Sequence, residues 1–432
     1  MGKASRAKGE IVGAAVLAAI LAVFLFTFSS TALAASIVNQ GAPPPKVSKV
    51  DGSGVSSVVF RQSASTDRFW TRERLLSAKP ADNQPPAASF DLPDFSADAT
   101  ASAATGDFTP GNVTDFPQRI QGKIFFKLGD AVYSCSGTVV DSAEQNVVFT
   151  AGHCLFDQTE HRYVDKLVFI PGYENGTAPF KAPLDVIDAA SGKVPDQWIN
   201  SGTNSYDIAV IGLSQPVQKA LGSRQIAFDL NPALSKTKGR EYTIYGYPSQ
   251  PSNLYNGEVL RGCQVAFSGF DNSSGNITPY PMSGNPCLMQ QGASGGGWIT
   301  LGNYLNSVVS YGYCDDLPNT CGFIFGPYFS NAAKSLYVTA GGSPAPTIKL
   351  VKSPPKVVRK RAVTFKFKGS AATLLGFVCK LDGQKKVNCA SKISIKRLRP
   401  GKHTLKAWAV DQTGHMSKKK VVRRFRVVVP RR

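Results

Sequence analysis

Three polar side chains, far apart in the sequence, have the types and surroundings that serine-based acyl transfer requires. Ser294 lies in the glycine-rich stretch QQGASGGGW, His153 in FTAGHCLF, and Asp207 in NSYDIAVIGL. This chemistry needs a nucleophilic hydroxyl, a base that takes its proton, an acid that orients the base, and hydrogen-bond donors for the oxyanion. The three residues therefore form a candidate catalytic set in the chain order His, Asp, Ser.

The local sequence of each residue suits its role. The chain has four histidines, of which two lie in a basic C-terminal part and His161 lies in a polar stretch expected to face solvent. Asp207 opens an apolar run, where a carboxylate is costly unless it is hydrogen-bonded. The residues around Ser294 are small, so the backbone can turn sharply and the amides of Gly292 and Ser294 can converge on one oxygen.

Each motif taken alone has a plainer explanation. A GxSGG stretch is often only a glycine turn, an aspartate before an apolar strand is often a cap, and a histidine beside a cysteine can be a packed core residue. The joint order of the three motifs favours catalysis. The alternative is a protein that has kept the motifs but lost catalysis, and the presence of all three side chains argues against it.

TAGHC, DIAV and G-x-SGG, in that order, resemble the motifs of the trypsin/chymotrypsin-type serine endopeptidase family, especially its bacterial V8-like branch. The resemblance covers about residues 116–340. It implies that His153 is the general base and acid, that Asp207 is the orienting carboxylate, and that Ser294 is the nucleophile. It also implies an oxyanion hole made by the amides of Gly292 and Ser294.

The resemblance extends to substrate binding. Ser310, Tyr311 and Gly312 resemble the edge that pairs with substrate backbone. Leu288 stands where trypsin-like members place an aspartate for Arg or Lys side chains, and Val309 stands where glutamate-specific relatives carry a histidine. Neither the aspartate nor the histidine is present to bind a charged side chain. The substrate residue before the scissile bond (P1) is therefore expected to be uncharged.

Ala293 stands where trypsin-like members carry an aspartate that pairs with the amine freed by zymogen cleavage. The stretch QRIQG resembles a trypsin-type activation sequence, yet a new amine at Ile120 would find no carboxylate at position 293. Removal of a pro-region somewhere before Phe116 is therefore expected to suffice for activity.

The eight cysteines allow many connectivities. By the family pattern and by proximity, the expected disulfides are Cys135–Cys154, Cys263–Cys287, Cys314–Cys321 and Cys379–Cys389. A metal site is not expected, because the chain has no HExxH or CxxC motif and little histidine. No cofactor is expected either.

Residues 1–34 indicate a secretory signal, with a basic start, an apolar run and an Ala32-Leu33-Ala34 cleavage site. The rival interpretation is an uncleaved membrane anchor, since the apolar run is nearly long enough to span a bilayer. The small residues that end the run, and the lack of a basic stop-transfer cluster after it, favour cleavage. Export predicts a secreted, extracellular protein in which disulfides form.

The remaining chain divides into three parts. Residues 35–115 are rich in Ala, Ser, Pro and Asp and predict a largely disordered pro-region or linker, although VSSVVFRQ and FWTRERLL could form a strand and a short helix. Residues 116–341 have many short strands and one helix candidate, FSNAAKSLYVTA, which indicates an all-β fold. For this part the resemblance implies a trypsin-like protease domain of two six-stranded antiparallel β-barrels.

Residues 342–432 alternate apolar and polar residues, which predicts a small β-sandwich. This part resembles the Ig-like domains appended to secreted bacterial proteins. From residue 343 onward, 25 Lys and Arg face only Asp382 and Asp411, whereas the rest of the chain has 24 basic against 27 acidic residues. The two parts of the chain therefore have different electrostatic roles.

The basic charge predicts contact with a polyanion, such as an anionic cell-wall polymer or a polysaccharide. The alternative is a soluble β-sandwich whose solvent-exposed faces carry lysine but do not bind a polyanion. Nucleic acid is not favoured, since no RRM-like or zinc-finger pattern is present, and a membrane is expected as a partner only if the N-terminal segment stays uncleaved. The sequence thus predicts a secreted serine endopeptidase acting on protein or peptide substrates. The rival is an exported polyanion-binding surface protein with an inert protease-like domain.

Overall fold

The computed structural model describes residues 36–39, 54–60, 69–81, 106–235, 238–273, 275–313, 322–342, 346–370, 374–411 and 416–428. The predicted signal segment and the predicted Cys314–Cys321 disulfide lie outside the described residues. No helix in the described part of the chain is both long and apolar enough to cross a membrane.

The first half of the chain forms a closed barrel. The strands of this half of the chain are β1 (Ser36–Asn39), β2 (Val55–Val59), β3 (Lys79–Pro80), β4 (Asp107–Phe108), β5 (Gln121–Leu128), β6 (Ala131–Val140), β7 (Val147–Thr150), β8 (Phe156–Asp157), β9 (Arg162–Tyr163), β10 (Asp165–Pro171), β11 (Ile187–Pro195) and β12 (Ala209–Leu213). Of these, β1 and β4 pair with strands outside the barrel, and β8 and β9 form a two-stranded sheet of their own. The helices of this half are α1 (Arg72–Ser77) and α2 (Asp196–Ser201). The order β10-β5-β6-β7-β12-β11 closes through a pairing of β11 with β10. The predicted six-stranded antiparallel barrel is confirmed.

Strand β7 explains how the barrel is filled. All four of its residues are buried, because alternate side chains point to opposite faces of the sheet and both faces are covered. Val148 joins the cluster that includes Ile124 and Ile211, while Phe149 joins a second cluster that includes Phe329. The strand that leads to His153 is therefore fixed from both sides.

The segment before residue 116 contributes to this barrel. Strand β2 pairs antiparallel with β11, and β3 pairs with β6. Helix α1 buries Leu75, and the indole of Trp70 is buried and donates to the carbonyl of Lys166 at 2.9 Å. The predicted strand and short helix are confirmed. For these residues the description as a disordered linker is wrong, because their apolar side chains have a barrel surface to pack against.

The next elements are α3 (Gln218–Leu221), β13 (Gln225–Ile226), β14 (Glu241–Gly246), β15 (Arg261–Phe270), β16 (Met282–Asn285), β17 (Gly297–Thr300), β18 (Tyr304–Val308), β19 (Ile324–Gly326) and α4 (Asn331–Thr339). They form a second sheet in the order β13-β18-β17-β14-β15-β16-β19, and β4 adds to β15. A bridge between Tyr311 and Phe325 joins the chain after β18 to β19. Helix α4, the predicted one, packs Leu336 and Tyr337 into the cluster that contains Phe149.

The C-terminal strands are β20 (Thr347–Lys352), β21 (Val357–Val358), β22 (Val363–Ser370), β23 (Leu374–Leu381), β24 (Val387–Cys389), β25 (Lys392–Lys396), β26 (Gly401–Asp411) and β27 (Val421–Val427). They make a four-stranded sheet, β1-β25-β22-β20, and a five-stranded sheet, β21-β27-β26-β23-β24. Side chains of both sheets share one apolar cluster, in which Phe365, Ile393 and Leu405 are fully buried. Strand β1, which follows the predicted signal segment, pairs with β25.

Three of the predicted disulfides are formed. They are Cys135–Cys154, Cys263–Cys287 and Cys379–Cys389. The first joins β6 to the turn after β7, and the last joins β23 to β24. Each therefore fastens neighbouring strands of one sheet or barrel.

Candidate active site

His153 lies in a short 3-10 turn, Gly152–Cys154, directly after β7. The disulfide between Cys154 and Cys135 of β6 locks this turn to the barrel. Position 152 requires glycine, because a Cβ there would lie 2.9 Å from Oδ1 of Asp207. His153 is 9% exposed, so its ring is packed on most sides. The turn thus presents one imidazole in one orientation.

Asp207 is fully buried, at the end of the 3-10 turn Asn204–Tyr206 and just before β12. Its Oδ2 lies 2.8 Å from Nδ1 of His153, and its Oδ1 accepts the backbone N–H of His153 at 2.8 Å. The hydroxyl of Ser310 also donates to Oδ2, at 2.5 Å. These donors satisfy a carboxylate that has been taken out of water. Because Nδ1 faces this acceptor, Nε2 is the ring nitrogen available to take a proton.

The loop that carries Ser294 can form only with glycines. Gly292 and Gly295 have φ of +90° and +83°. A Cβ on Gly292 would lie 2.6 Å from the carbonyl of Tyr247, and one on Gly295 would lie 2.1 Å from Oγ1 of Thr150. The glycine-rich sequence therefore reflects both positive φ and close packing against the strands of both sheets.

Ser294 lies against the histidine loop. Its carbonyl oxygen accepts the N–H of Ser136 in β6 at 2.7 Å and lies 3.9 Å from Sγ of Cys154, the neighbour of His153. Ser294 itself is 5% exposed. Nε2 of His153 has no hydrogen-bond partner among the described residues. The structure thus contains the His153–Asp207 pair and places the serine backbone beside it, without a hydrogen bond from Nε2 to the serine hydroxyl.

Two backbone donors next to Ser294 remain available. The amides of Gly292 and Ser294 donate to no group within the described ranges. The hydroxyl of Ser136 donates to the carbonyl of Gly292 at 2.9 Å and accepts the N–H of Tyr247 at 2.9 Å. Ser136 therefore fixes the Gly292 peptide. The sequence analysis did not identify this residue, and its position next to Cys135 was the only signal that pointed to it.

The edge after β18 has unused backbone groups. The N–H of Ser310 donates to the carbonyl of Phe325 at 2.9 Å, and the carbonyl of Tyr311 accepts from Phe325 at 3.0 Å. The carbonyl of Ser310 and the N–H and C=O of Gly312 have no backbone partner in the described chain. An extended peptide can pair with such an edge by adding a strand.

A family model for trypsin matches residues 111–328. The chain belongs to the trypsin family. The match covers half of the chain and contains His153, Asp207 and Ser294. The predicted resemblance to the trypsin family is therefore confirmed.

Individual proteases are similar to part of this chain, which spans less than half the length of the curated relative it matches. The chain is 30% identical over 158 residues to a glutamyl endopeptidase of Bacillus licheniformis, and this match spans 37% of the chain and 42% of that protein. Protease Anisep from Arthrobacter nicotinovorans is 32% identical over 53% of this chain and 98% of its own, with a TM-score of 0.42. The thermostable serine protease AL20 from an extremophilic microorganism is 30% identical over 52% of this chain and 97% of its own, with a TM-score of 0.43.

The two positions predicted to set specificity, 288 and 309, carry apolar residues in this trypsin-family chain. Val309 is buried, and Leu288 is half-buried. The N–H of Leu288 donates to the carboxylate of Asp107, with an N–Oδ2 distance of 3.2 Å. Burial raises the pKa of Asp107, and the hydrogen bond from Leu288 opposes this change. The sequence analysis missed Asp107 because it lies in the segment predicted to be a pro-region.

Position 293 shows how the loop is supported without an aspartate. Ala293 is fully buried. The N–H and hydroxyl of Ser249 both donate to the carbonyl of Gln291, at 2.8 and 3.1 Å. Ile120 is buried in the core of the first barrel, in a turn that continues into β5. Ser249 and Ser136 therefore hold the two peptides that precede Ala293.

Two groups of possible metal ligands lie close together in the described chain: Cys135, His153 and Cys154, and Asp107, Cys263 and Cys287. In both groups the cysteines form a disulfide, so they offer no thiolate to a metal ion. Neither group therefore makes a candidate metal site.

Proposed function

We propose that this chain is a secreted serine endopeptidase that hydrolyses peptide bonds through His153, Asp207 and Ser294. The observation that carries the proposal is the buried pair of His153 and Asp207, with 2.8 Å between Nδ1 and Oδ2, beside the loop of Ser294. The full length of the glutamyl endopeptidase relative is not matched, so the activity of the whole protein is part of the proposal.

The reaction proceeds by acyl transfer. The hydroxyl oxygen of Ser294 attacks the scissile carbonyl carbon, and Nε2 of His153 takes the hydroxyl proton. The amides of Gly292 and Ser294 donate to the oxyanion that develops. His153 then gives its proton to the leaving amine, and water releases the acyl group from Ser294 by the same steps. Throughout, Asp207 holds Nδ1–H and stabilises the imidazolium.

The test is labelling with a peptidyl phosphonate that reacts with an activated serine. The expected result is one label per molecule at Ser294, none in Ser294→Ala, and at least tenfold slower labelling in His153→Ala. His161→Ala is the matched control and should label like the parent, because His161 is exposed. Absence of label in the folded protein would instead support the inert, polyanion-binding alternative.

We propose an uncharged P1 residue for the substrate. Leu288 and Val309 are apolar, and burial of a charged side chain beside them would be costly without a partner. Nε2 of Gln290 is buried and has no hydrogen-bond partner in the described residues. The side-chain amide of Gln290 lies against Gly312, with Oε1 nearer than Nε2 to the position a Cβ would take there, so the group beside Gly312 is polar but uncharged. Cleavage of a peptide library checks this, and a strong preference for Glu, Lys or Arg at P1 would contradict it.

We propose that activation requires no new amine at Ile120. Ala293 cannot pair with such an amine, and Ser136 and Ser249 already hold the loop. N-terminal sequencing of the active protein tests this. A mature N-terminus at Ile120, with activity that depends on it, would contradict the proposal.

The C-terminal sheets support the proposed polyanion tether. Like charges lie directly opposite each other on neighbouring strands, which is unfavourable unless an anion binds between them. The opposed pairs are Lys349–Lys368, Lys352–Lys366, Lys366–Lys392, Lys380–Lys406 and Lys402–Arg426. The first three cross the four-stranded sheet, which we propose as the tethering face because its row of lysines spans three strands.

Salt-dependent elution from an anionic matrix tests the tether. The variant with Lys349, Lys366, Lys368 and Lys392 changed to Gln is expected to elute at lower salt than the parent. The charge-matched control changes Lys380, Lys402, Lys406 and Arg426 to Gln on the other sheet. Equal shifts in the two variants would mean that retention depends on net charge and not on the four-stranded sheet. No shift in either variant would reject the tether. We propose that the protein acts outside the cell, at the surface when tethered.

A further inference from the structure

A second buried carboxylate, in addition to Asp207, contacts residues 310–313, the edge that follows β18. Asp271 follows β15 and is fully buried. Its Oδ2 accepts the hydroxyl of Tyr311 at 2.5 Å, the hydroxyl of Tyr313 at 2.7 Å and the amide of Asn276 at 3.0 Å. Its Oδ1 accepts the N–H of Ser273 at 3.0 Å. Four donors on one buried carboxylate make a strongly satisfied network.

The network fixes the edge at two alternate residues. Tyr311 and Tyr313 flank Gly312, whose N–H and C=O make no backbone hydrogen bond to the described residues. The ring of Tyr311 stacks on Phe325, with 4.9 Å between centroids and 9° between planes. Burial, together with the nearby charge of Asp271, raises the pKa of Tyr311 well above its ordinary value, so its hydroxyl remains a donor. Hydrogen bonds from Tyr311 and Tyr313 to Asp271, together with stacking of Tyr311 on Phe325, thus fix the edge in place.

The same loop reaches the turn that carries Asp207. The hydroxyl of Ser205 donates to the carbonyl of Ile277 at 2.6 Å and accepts the N–H of Ile277 at 3.0 Å. Ser205 is two residues before Asp207, and Asn276 precedes Ile277. Ser310, next to Tyr311, donates to Asp207. Two separate hydrogen-bond routes therefore connect the edge with the turn of Asp207.

We propose that Asp271 is a positioning residue for extended substrates: it holds the edge of residues 310–313 in register with the catalytic groups, so that peptide residues beyond P1 bind productively. This inference rests on the proposed peptidase function. Asp271 does not contact the reacting atoms, so its effect depends on how many substrate residues lie along the edge.

The experiment compares Asp271→Asn with the parent on two substrates: a single-residue ester that occupies only the P1 site, and a tetrapeptide amide that extends along the edge. For the tetrapeptide we expect kcat/KM to fall by about 10- to 100-fold, mainly through KM, because hydrogen bonds to a charged acceptor are lost. For the ester we expect a change of about twofold or less. An equal loss on both substrates, or no loss on either, would overturn the proposal.

Tyr311→Phe keeps the stacking on Phe325 and removes one donor, and it provides the test if Asp271→Asn does not fold. It should reproduce the selective loss on the tetrapeptide. Tyr163→Phe is the matched control, because the buried hydroxyl of Tyr163 has no hydrogen-bond partner in the described part of the protein. Labelling of Ser294 by a single-residue phosphonate should match the parent in Tyr163→Phe, and in Asp271→Asn and Tyr311→Phe it reports whether the catalytic groups are still assembled. If the parent itself does not label, the peptidase function fails, and not this inference.

Discussion

At the scale of single residues, the orientation of Asp207 depends on Ser310. Both are buried, and the distance from Oγ to Oδ2 is 2.5 Å. Removal of this donor leaves a buried carboxylate with one hydrogen bond fewer, and His153, which the same carboxylate orients, is then held less firmly. The effect should appear in the chemical step, since the hydroxyl of Ser310 points at Asp207 and not along the substrate edge.

Ser310→Ala is expected to lower kcat by about 10- to 100-fold with little change in KM. Steady-state kinetics on the single-residue ester checks this. Ser307→Ala is the control, because Ser307 is equally buried but donates to the carbonyl of Pro327. A similar loss of kcat in both variants would mean that any buried serine matters here, and that the contact with Asp207 does not.

At the scale of elements, the segment before the protease motifs is part of the first barrel. Strand β2 extends the sheet at β11, and the indole of Trp70 enters a core cluster together with Phe125. Removal of this segment would expose apolar surface that it now covers. Maturation that removes residues 54–81 would therefore cost stability.

Trp70→Ala is expected to lower the free energy of unfolding by about 3–5 kcal/mol, because it leaves a cavity and removes the hydrogen bond from the indole to the carbonyl of Lys166. Urea unfolding of the Ser294→Ala protein measures this without self-digestion. Leu76→Ala, on the adjacent helix α1 and 42% exposed, should cost about 1 kcal/mol or less. Equal costs for the two variants would contradict the packing described here.

At the scale of the whole molecule, buried tyrosines govern stability in alkali. Burial is the main cause that raises the pKa of Tyr247 well above 10 and the pKa of Tyr163 and Tyr328 to about 12. A phenol whose pKa is raised in the folded state contributes stability below its unfolded value of 10, and this stability is lost as the pH rises toward the folded pKa. Burial lowers the pKa of Lys123 and of Arg224, which acts in the opposite direction.

The free energy of unfolding is therefore expected to fall between about pH 10 and pH 12, by about 1.4 kcal/mol per pH unit for each tyrosine that stays protonated. Urea unfolding at a series of pH values measures the slope, and tyrosinate absorbance counts the phenols that ionise only on unfolding. A free energy that stays constant across this range would contradict the prediction.

The sequence by itself determined the family, the all-β class and the three candidate catalytic residues. Each of these rests on residues close together in the chain: TAGHC, DIAV and GxSGG are short motifs whose local geometry follows from glycine and small side chains. It also predicted three disulfides that are formed and the helix near residue 335.

Only the tertiary structure decided which distant polar groups support the site. Ser136, Asp107 and Asp271 occur in stretches with no motif, and each acts on a residue far away in the sequence. A hydrogen bond depends on distance and direction in space, which the spacing of residues along a chain does not specify once strands from two sheets meet. For the same reason the strand and helix before residue 116 could be predicted locally, while their place on the first barrel could not.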